Sequence, residues 1–256
     1  MPTTTTGKNR LFEDAEFGLM PFDLLHGEPP RISSFTNFEL LPASSVAAAT
    51  DKLMFANTGA TPGTIARATK GGMSYTTGGA SGNASVLTAV AATAFRPAIT
   101  ATSRVIMLAR MSVPTITTVL VQAGLGQAPS ATDPGAANSG TDSAEFFFDP
   151  ANALSSGLGT AVLGNWIARY RNASGAVSYI NTGVPVVAGT DYNLMIQYNE
   201  SLQPVFWVNN EIRGVGTVGG GVTSGTTLIT QLGVKTSSAA ARSFECRYIK
   251  IGRDCA

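Results

Sequence analysis

The residues able to do chemistry are few and widely scattered. His26 is the chain's single histidine, and nucleophilic arrangements of the Ser-His-Asp or Cys-His kind need one to move the proton. It lies among Pro21, Pro29 and Pro30, in a stretch too irregular to hold a catalytic base, so an arm contact or plain solvent exposure is its expected role. Glu145 and Asp149, in the run EFFFD, fall on one face of an expected strand, and paired carboxyls are what acid-base hydrolysis of sugars requires. Asp149 precedes Pro150 at a strand end, which is ordinary turn chemistry, and the structural reading of the pair is preferred. Cys246 and Cys255 are the two cysteines. With one histidine they cannot complete a four-ligand zinc site unaided, so neither a structural metal nor a cofactor is expected.

The remaining candidates also have plainer readings. Cys246 alternates with Phe244 and Tyr248, which makes it a small buried apolar residue on their face. Gly219, Gly220 and Gly221 lack the lysine and helix of a phosphate loop and read as a hairpin connection. Trp166, Tyr170, Tyr179 and Trp207 could stack on sugar rings if they faced outward, while Trp166 and Tyr170 share a face that suits a core. Asn209 and Asn210 read as a tight turn, because asparagine tolerates the positive φ a two-residue hairpin needs. No catalytic residue is expected.

These side chains must be positioned by strands. From Ser143 to Arg213 the chain runs AEFFFDP, NWIARYRN, AVSYINTG, DYNLMIQYN and PVFWVNNEIRG, each segment closed by Gly, Asn, Asp or Pro. Tyr192, Leu194, Ile196 and Tyr198 take one face of a pleated strand, while Asn193 and Gln197 take the other. Further strands are expected at KLMFANT, TIARATKGGMSYTT, ASVLTAVA, SRVIMLARMSV, TTVLVQAGLG, TTLITQLGVKT and SFECRYIKIG. VIMLA is apolar on both faces, as a central strand covered on both sides would be. The loop QAPSATDPGAANSGTDS is expected outside the packed sheets, where contact surfaces often sit.

Composition narrows the function classes. The 17 Lys and Arg balance 16 Asp and Glu for a net charge of +1, which offers no general attraction to nucleic acid or anionic membranes. No apolar run has the length of a membrane span and the N-terminus lacks the apolar core of a secretion signal, so the chain is expected in the cytoplasm with reduced thiols. Residues 1–45 read as an extended arm and 46–256 as a single β-domain. The arm carries Phe12, Phe17, Leu19, Met20 and Phe22, apolar residues expected to insert into a surface, either that of a neighbouring subunit or the chain's own. Three basic residues meet six acidic ones before Thr50, whereas Lys52, Arg67, Lys70, Arg96, Arg104 and Arg110 meet none up to Thr132. Such opposed fields could guide the arm onto a body, or could be ordinary solvated charge.

The order VIMLARMSV, EFFFDP, NWIARYRNASGAVSYINTGVPVVAGTDYNLMIQYNESLQPVFWVNNEI and LITQLGVKTSSAAARSFECRYIKIG resembles the concanavalin A-like or laminin-G-like jelly roll. Gly189 to Tyr192 and Phe206 to Asn209 match that family's Gly-Thr-x-Tyr strand and its aromatic-x-Val-Asn turn. The resemblance implies an all-β antiparallel jelly-roll sandwich. EFFFDP departs from the Glu-x-Asp-x-x-Glu strand of laminarinase-type glycosidases, and the acidic and histidine cluster of legume lectins is missing. With its acidic arm the chain also resembles structural proteins of tailed bacteriophage particles. That implies a non-enzymatic decoration or cement protein on the capsid surface, stabilising the head through subunit contacts of its N-terminal arm (Phe12, Phe17, Leu19, Met20 and Phe22) and jelly roll with the major capsid protein and itself, as a homotrimer. A carbohydrate-binding head or tail appendage is the alternative.

Overall fold

The computed structural model of the chain describes residues 53–59, 63–89, 98–101, 105–127, 142–150, 163–172, 175–218 and 222–253, isolated positions between them and, within the first 37 residues, the backbone of short strands. The side chains of Phe12, Phe17, Leu19, Met20, Phe22 and His26 lie outside the described residues, as do Cys255, Gly219 and Gly221.

Two antiparallel sheets make the body. The strands are β1 (Ile32–Asn37), β2 (Leu53–Thr58), β3 (Thr64–Arg67), β4 (Met73–Thr76), β5 (Ala84–Ala89), β6 (Val105–Ser112), β7 (Val119–Gly126), β8 (Ser143–Phe148), β9 (Asn165–Arg171), β10 (Ser178–Pro185), β11 (Asp191–Tyr198), β12 (Pro204–Val208), β13 (Glu211–Val215), β14 (Ile229–Thr236) and β15 (Ser243–Arg253). The eight-stranded sheet runs β13-β12-β11-β6-β15-β4-β3, with β1 also paired to β15; the seven-stranded sheet runs β10-β9-β8-β7-β14-β5-β2. The all-β antiparallel sandwich expected from the sequence is the fold. The expected strand TIARATKGGMSYTT is instead two, β3 and β4, because Gly71 and Gly72 take φ of 90° and 77° and turn the chain back.

Alternation places the core. Met107, Ala109 and Met111 of β6 and Tyr192, Leu194, Ile196 and Tyr198 of β11 face Val121, Ala123, Phe146, Phe148, Trp166, Ala168 and Val234 of the other sheet. Aromatic rings lock the two layers together. Trp166 meets Tyr192 edge-on with ring centroids 5.8 Å apart, and Phe146 meets Phe206 at 5.5 Å. Trp166 and Tyr170, possible sugar platforms by residue type, are therefore core residues.

One extra residue changes the outcome for β15. The β6–β15 register steps from Arg110↔Tyr248 to Met111↔Cys246, leaving Arg247 as a bulge. Phe244 and Cys246 keep facing the core, whereas Tyr248 and Lys250 are turned to the outer face. The expectation that Cys246 and Tyr248 share a face fails for this reason: a two-residue period cannot register an inserted residue. Burial itself was read correctly, since Cys246 is fully enclosed and its thiol is pushed well above the ordinary range by desolvation.

The turn at Asn209 and Asn210 has φ of 51° and 68°, and the Asn209 side-chain oxygen accepts a bond from the Asn193 amide at 3.0 Å. N209A forfeits both the tolerated conformation and that acceptor. A loss of about 1–2 kcal/mol in urea unfolding is expected, and N209G should lose less because glycine retains the backbone geometry.

Candidate functional site

The outer face of the seven-stranded sheet gathers the polar groups that the sequence singled out and some that it did not. Glu145 stands on the outer side of β8, with Arg169 directly opposite on β9 and Gly124 directly opposite on β7. A Cβ at position 124 would come within 2.4 Å of the Glu145 Cβ, so glycine is what lets the carboxylate lie flat across β7. Its oxygens then accept from Arg169 Nε at 2.7 Å and from the Gln122 amide. The Arg169 guanidinium in turn lies over the Phe147 ring, 4.4 Å from its centroid.

This cluster is closed. Glu145, Gln122, Phe147 and Arg169 are exposed by 1%, 2%, 2% and 3% respectively. Burial raises the carboxyl above its ordinary value, against the opposing pull of the Arg169 charge and hydrogen bond. After β7 comes the connection from Gln127 to Asp142. Its neck is closed by the Gln127 amide donating to the Asp142 carbonyl at 2.9 Å. The Asp142 carboxylate is pinned by the Thr223 amide at 2.8 Å and the Thr226 hydroxyl at 2.7 Å. Within the loop Pro134 is buried, seated so tightly on β14 that a Cβ at Gly233 would lie 2.5 Å from the Pro134 Cβ. Pro134 is thus buried on the outer face of the sheet, and the other residues of this loop from 128 to 141 lie outside the described residues.

Glu145 and Asp149 do share the outer face, yet four residues of strand separate them by about 13 Å. Retaining glycoside hydrolysis needs carboxyls about 5–5.5 Å apart, and inversion about 6.5–9.5 Å. Phe147 also stands between the two on that face. Arg169 and Gln122 escaped the sequence reading. The available signal was Arg169 itself, a charged residue on the face of NWIARYR opposite the core side chains Trp166 and Tyr170.

A second polar group lies at one end of the other sheet. Asp191 Oδ2 accepts from Arg247 Nε at 2.8 Å and from Arg110 at 3.3 Å. The Arg247 Nη1 also donates to the carbonyls of Lys70 and, at 2.8 Å, Gly71. The bulge that flips Tyr248 thus puts Arg247 to use as a clasp between the β3–β4 turn and β11.

Comparison with known proteins agrees with this architecture. No family model matches the chain and no curated protein is similar to it in sequence. A Shewanella oneidensis protein of unknown function is similar in structure, with a TM-score of 0.55, 12% identity and coverage of 87% of this chain and 86% of the other. The carbohydrate recognition domain of Emp47p has a TM-score of 0.54 at 10% identity, covering 86% and 93%. A Bacillus licheniformis β-glucanase has a TM-score of 0.52 at 8% identity, covering 86% and 97%. At these identities the likeness defines the fold alone: a concanavalin A-like jelly roll, shared by lectin and glycosidase domains.

R169M tests the buried pair. Removing one partner leaves Glu145 enclosed without its cation, and a loss of about 3–5 kcal/mol at neutral pH is expected. The Glu145 carboxyl is raised from 4.5 in the folded chain, so its favourable contribution is present below that value and lost as pH rises through the raised one. Without the lowering pull of Arg169 the carboxyl is raised further in R169M than in the intact chain, so the deficit should shrink as urea titrations move from neutral pH toward 4.5. Cys246 gives a further check: it should react with iodoacetamide only in denaturant, since desolvation suppresses its thiolate.

Proposed function

We propose that the chain is a non-enzymatic structural protein of a bacteriophage particle, a capsid decoration or cement protein whose sandwich is fixed to the major capsid protein, as a homotrimer around threefold positions. The observation that supports this reading is the closed cluster around Glu145 on the outer face of the seven-stranded sheet. The buried Glu145 carboxylate there is paired with Arg169 and hydrogen-bonded by Gln122, and Phe147 stands between it and Asp149. A hydrolase or a sugar-binding groove would need that face open and its acid groups close together. Rigidity is what the arrangement supplies instead.

In this reading shell contact falls to the edge formed by β13 and the turn after β10. Val187, Ile212, Val215 and Val218 are exposed there by 52%, 54%, 49% and 72%. Apolar side chains left in water gain by association, each fully buried one contributing roughly 1.5–3 kcal/mol. Several copies seated side by side would add such contacts cooperatively.

A glycan-binding appendage is the second reading. It draws on the carbohydrate recognition domain among the structural neighbours and on Tyr179, half-buried across the ladder from Arg169 at the sheet edge. Density-gradient purification of particles from a lysate producing this chain separates the two. The decoration reading expects the chain at a fixed ratio to the major capsid protein, with a β-sandwich visible on the shell by electron cryomicroscopy. Recovery only at the top of the gradient, together with glycan-array binding lost in Y179A, overturns it in favour of the appendage.

A further inference from the structure

The eight-stranded sheet has a second apolar layer on the face turned away from the sandwich core. Leu108 of β6, Met195 of β11 and Tyr248 of β15 cluster there, with Ile106 and Trp207 packed against them. All five belong to the sheet itself. A row of side chains standing on a sheet shields its flanks and leaves its tips open, yet Leu108, Met195 and Tyr248 are exposed by only 2%, 6% and 3%. Lys250, beside Leu108 in the register, is exposed by 7%. Burial of this depth on an outward face requires a cover, as the two-sided apolar pattern of VIMLA also does.

We infer that the cover is the chain's own N-terminal segment, residues 1–31, folded across this face in cis. Continuity is the first argument. Strand β1 pairs with β15 from Ile32↔Arg253 to Asn37↔Tyr248, so residue 31 starts at the border of this very sheet, one strand beyond the cluster. From β1 to β11 is three strand spacings, about 14 Å, and a 31-residue segment can extend to about 100 Å. Composition is the second argument. The segment holds Leu11, Phe12, Phe17, Leu19, Met20, Phe22, Leu24 and Leu25, which suit an apolar face. Its five acidic residues outnumber three basic ones, whereas outward Arg110, Arg247 and Lys250 outnumber outward Asp191 and Glu245. Of the two surfaces open to the arm in the sequence, the neighbour's and its own, the second is the one assigned. The assignment is independent of the virion reading.

Methionine oxidation tests it, because Met195 lies in the outward cluster while Met107 lies in the sandwich core. In the intact chain treated with hydrogen peroxide, Met195 is expected to oxidise many-fold more slowly than free methionine, at a rate unchanged over a hundredfold dilution. In full-length chain carrying F12S, F17S and F22S, Met195 oxidation should rise at least fivefold while Met107 stays protected. Should that variant also expose Met107, the milder pair L19S and M20S carries the same reading. Met195 as reactive as free methionine in the intact chain overturns the inference, as does protection that survives both variants. Protection lost on dilution, with a dimer in sedimentation velocity, overturns it in favour of a second copy.

Discussion

The contact on which this structure depends is the aromatic seam between its sheets. Trp166 touches Phe146, Phe148 and Tyr192, with centroid distances of 6.5, 6.0 and 5.8 Å, and Phe146 continues the chain of rings to Phe206. Rings of this size set the separation of the layers, about 10 Å in stacked sheets generally. The Tyr192 hydroxyl extends the seam to the backbone by donating to the Pro185 carbonyl at 2.8 Å, while the Val187 amide donates to it at 2.8 Å. One residue thereby fixes both the core and the connection from β10 to β11.

Everything that follows the two-residue alternation was legible in the sequence. Tyr192, Leu194, Ile196 and Tyr198 face inward as their spacing requires, and VIMLA packs on both faces of a central strand. What escaped was local departure from the period. Gly71 and Gly72 split one expected strand into a hairpin, and the bulge at Arg247 sends Tyr248 to the opposite face from Cys246. Neither event leaves a composition signal strong enough to outweigh the flanking pattern.

The candidate site was half legible for a related reason. Glu145 and Asp149 stand out as carboxylates in an aromatic strand. Their meaning depends on partners far away in sequence. Arg169 is 24 residues from Glu145 and Gln122 is 23, and they meet it through ladder register. The same register places Gly124 where a larger residue would push the carboxylate aside. Glu145, one of two acids that suggest hydrolysis in one dimension, becomes with three strands aligned a strut paired with Arg169.

The outermost strand of the eight-stranded sheet has a bearing on crowding. Among the described residues β13 is paired on one side only, the geometry by which sheets fuse edge to edge. Its register against β12 breaks between Phe206 and Trp207, and Glu211 and Arg213 pair with each other within the strand. A kinked, charged border resists zippering by another strand while leaving Ile212 and Val215 open to side-chain contact. Many copies could thus be held at high local density without growing into a continuous β-fibre.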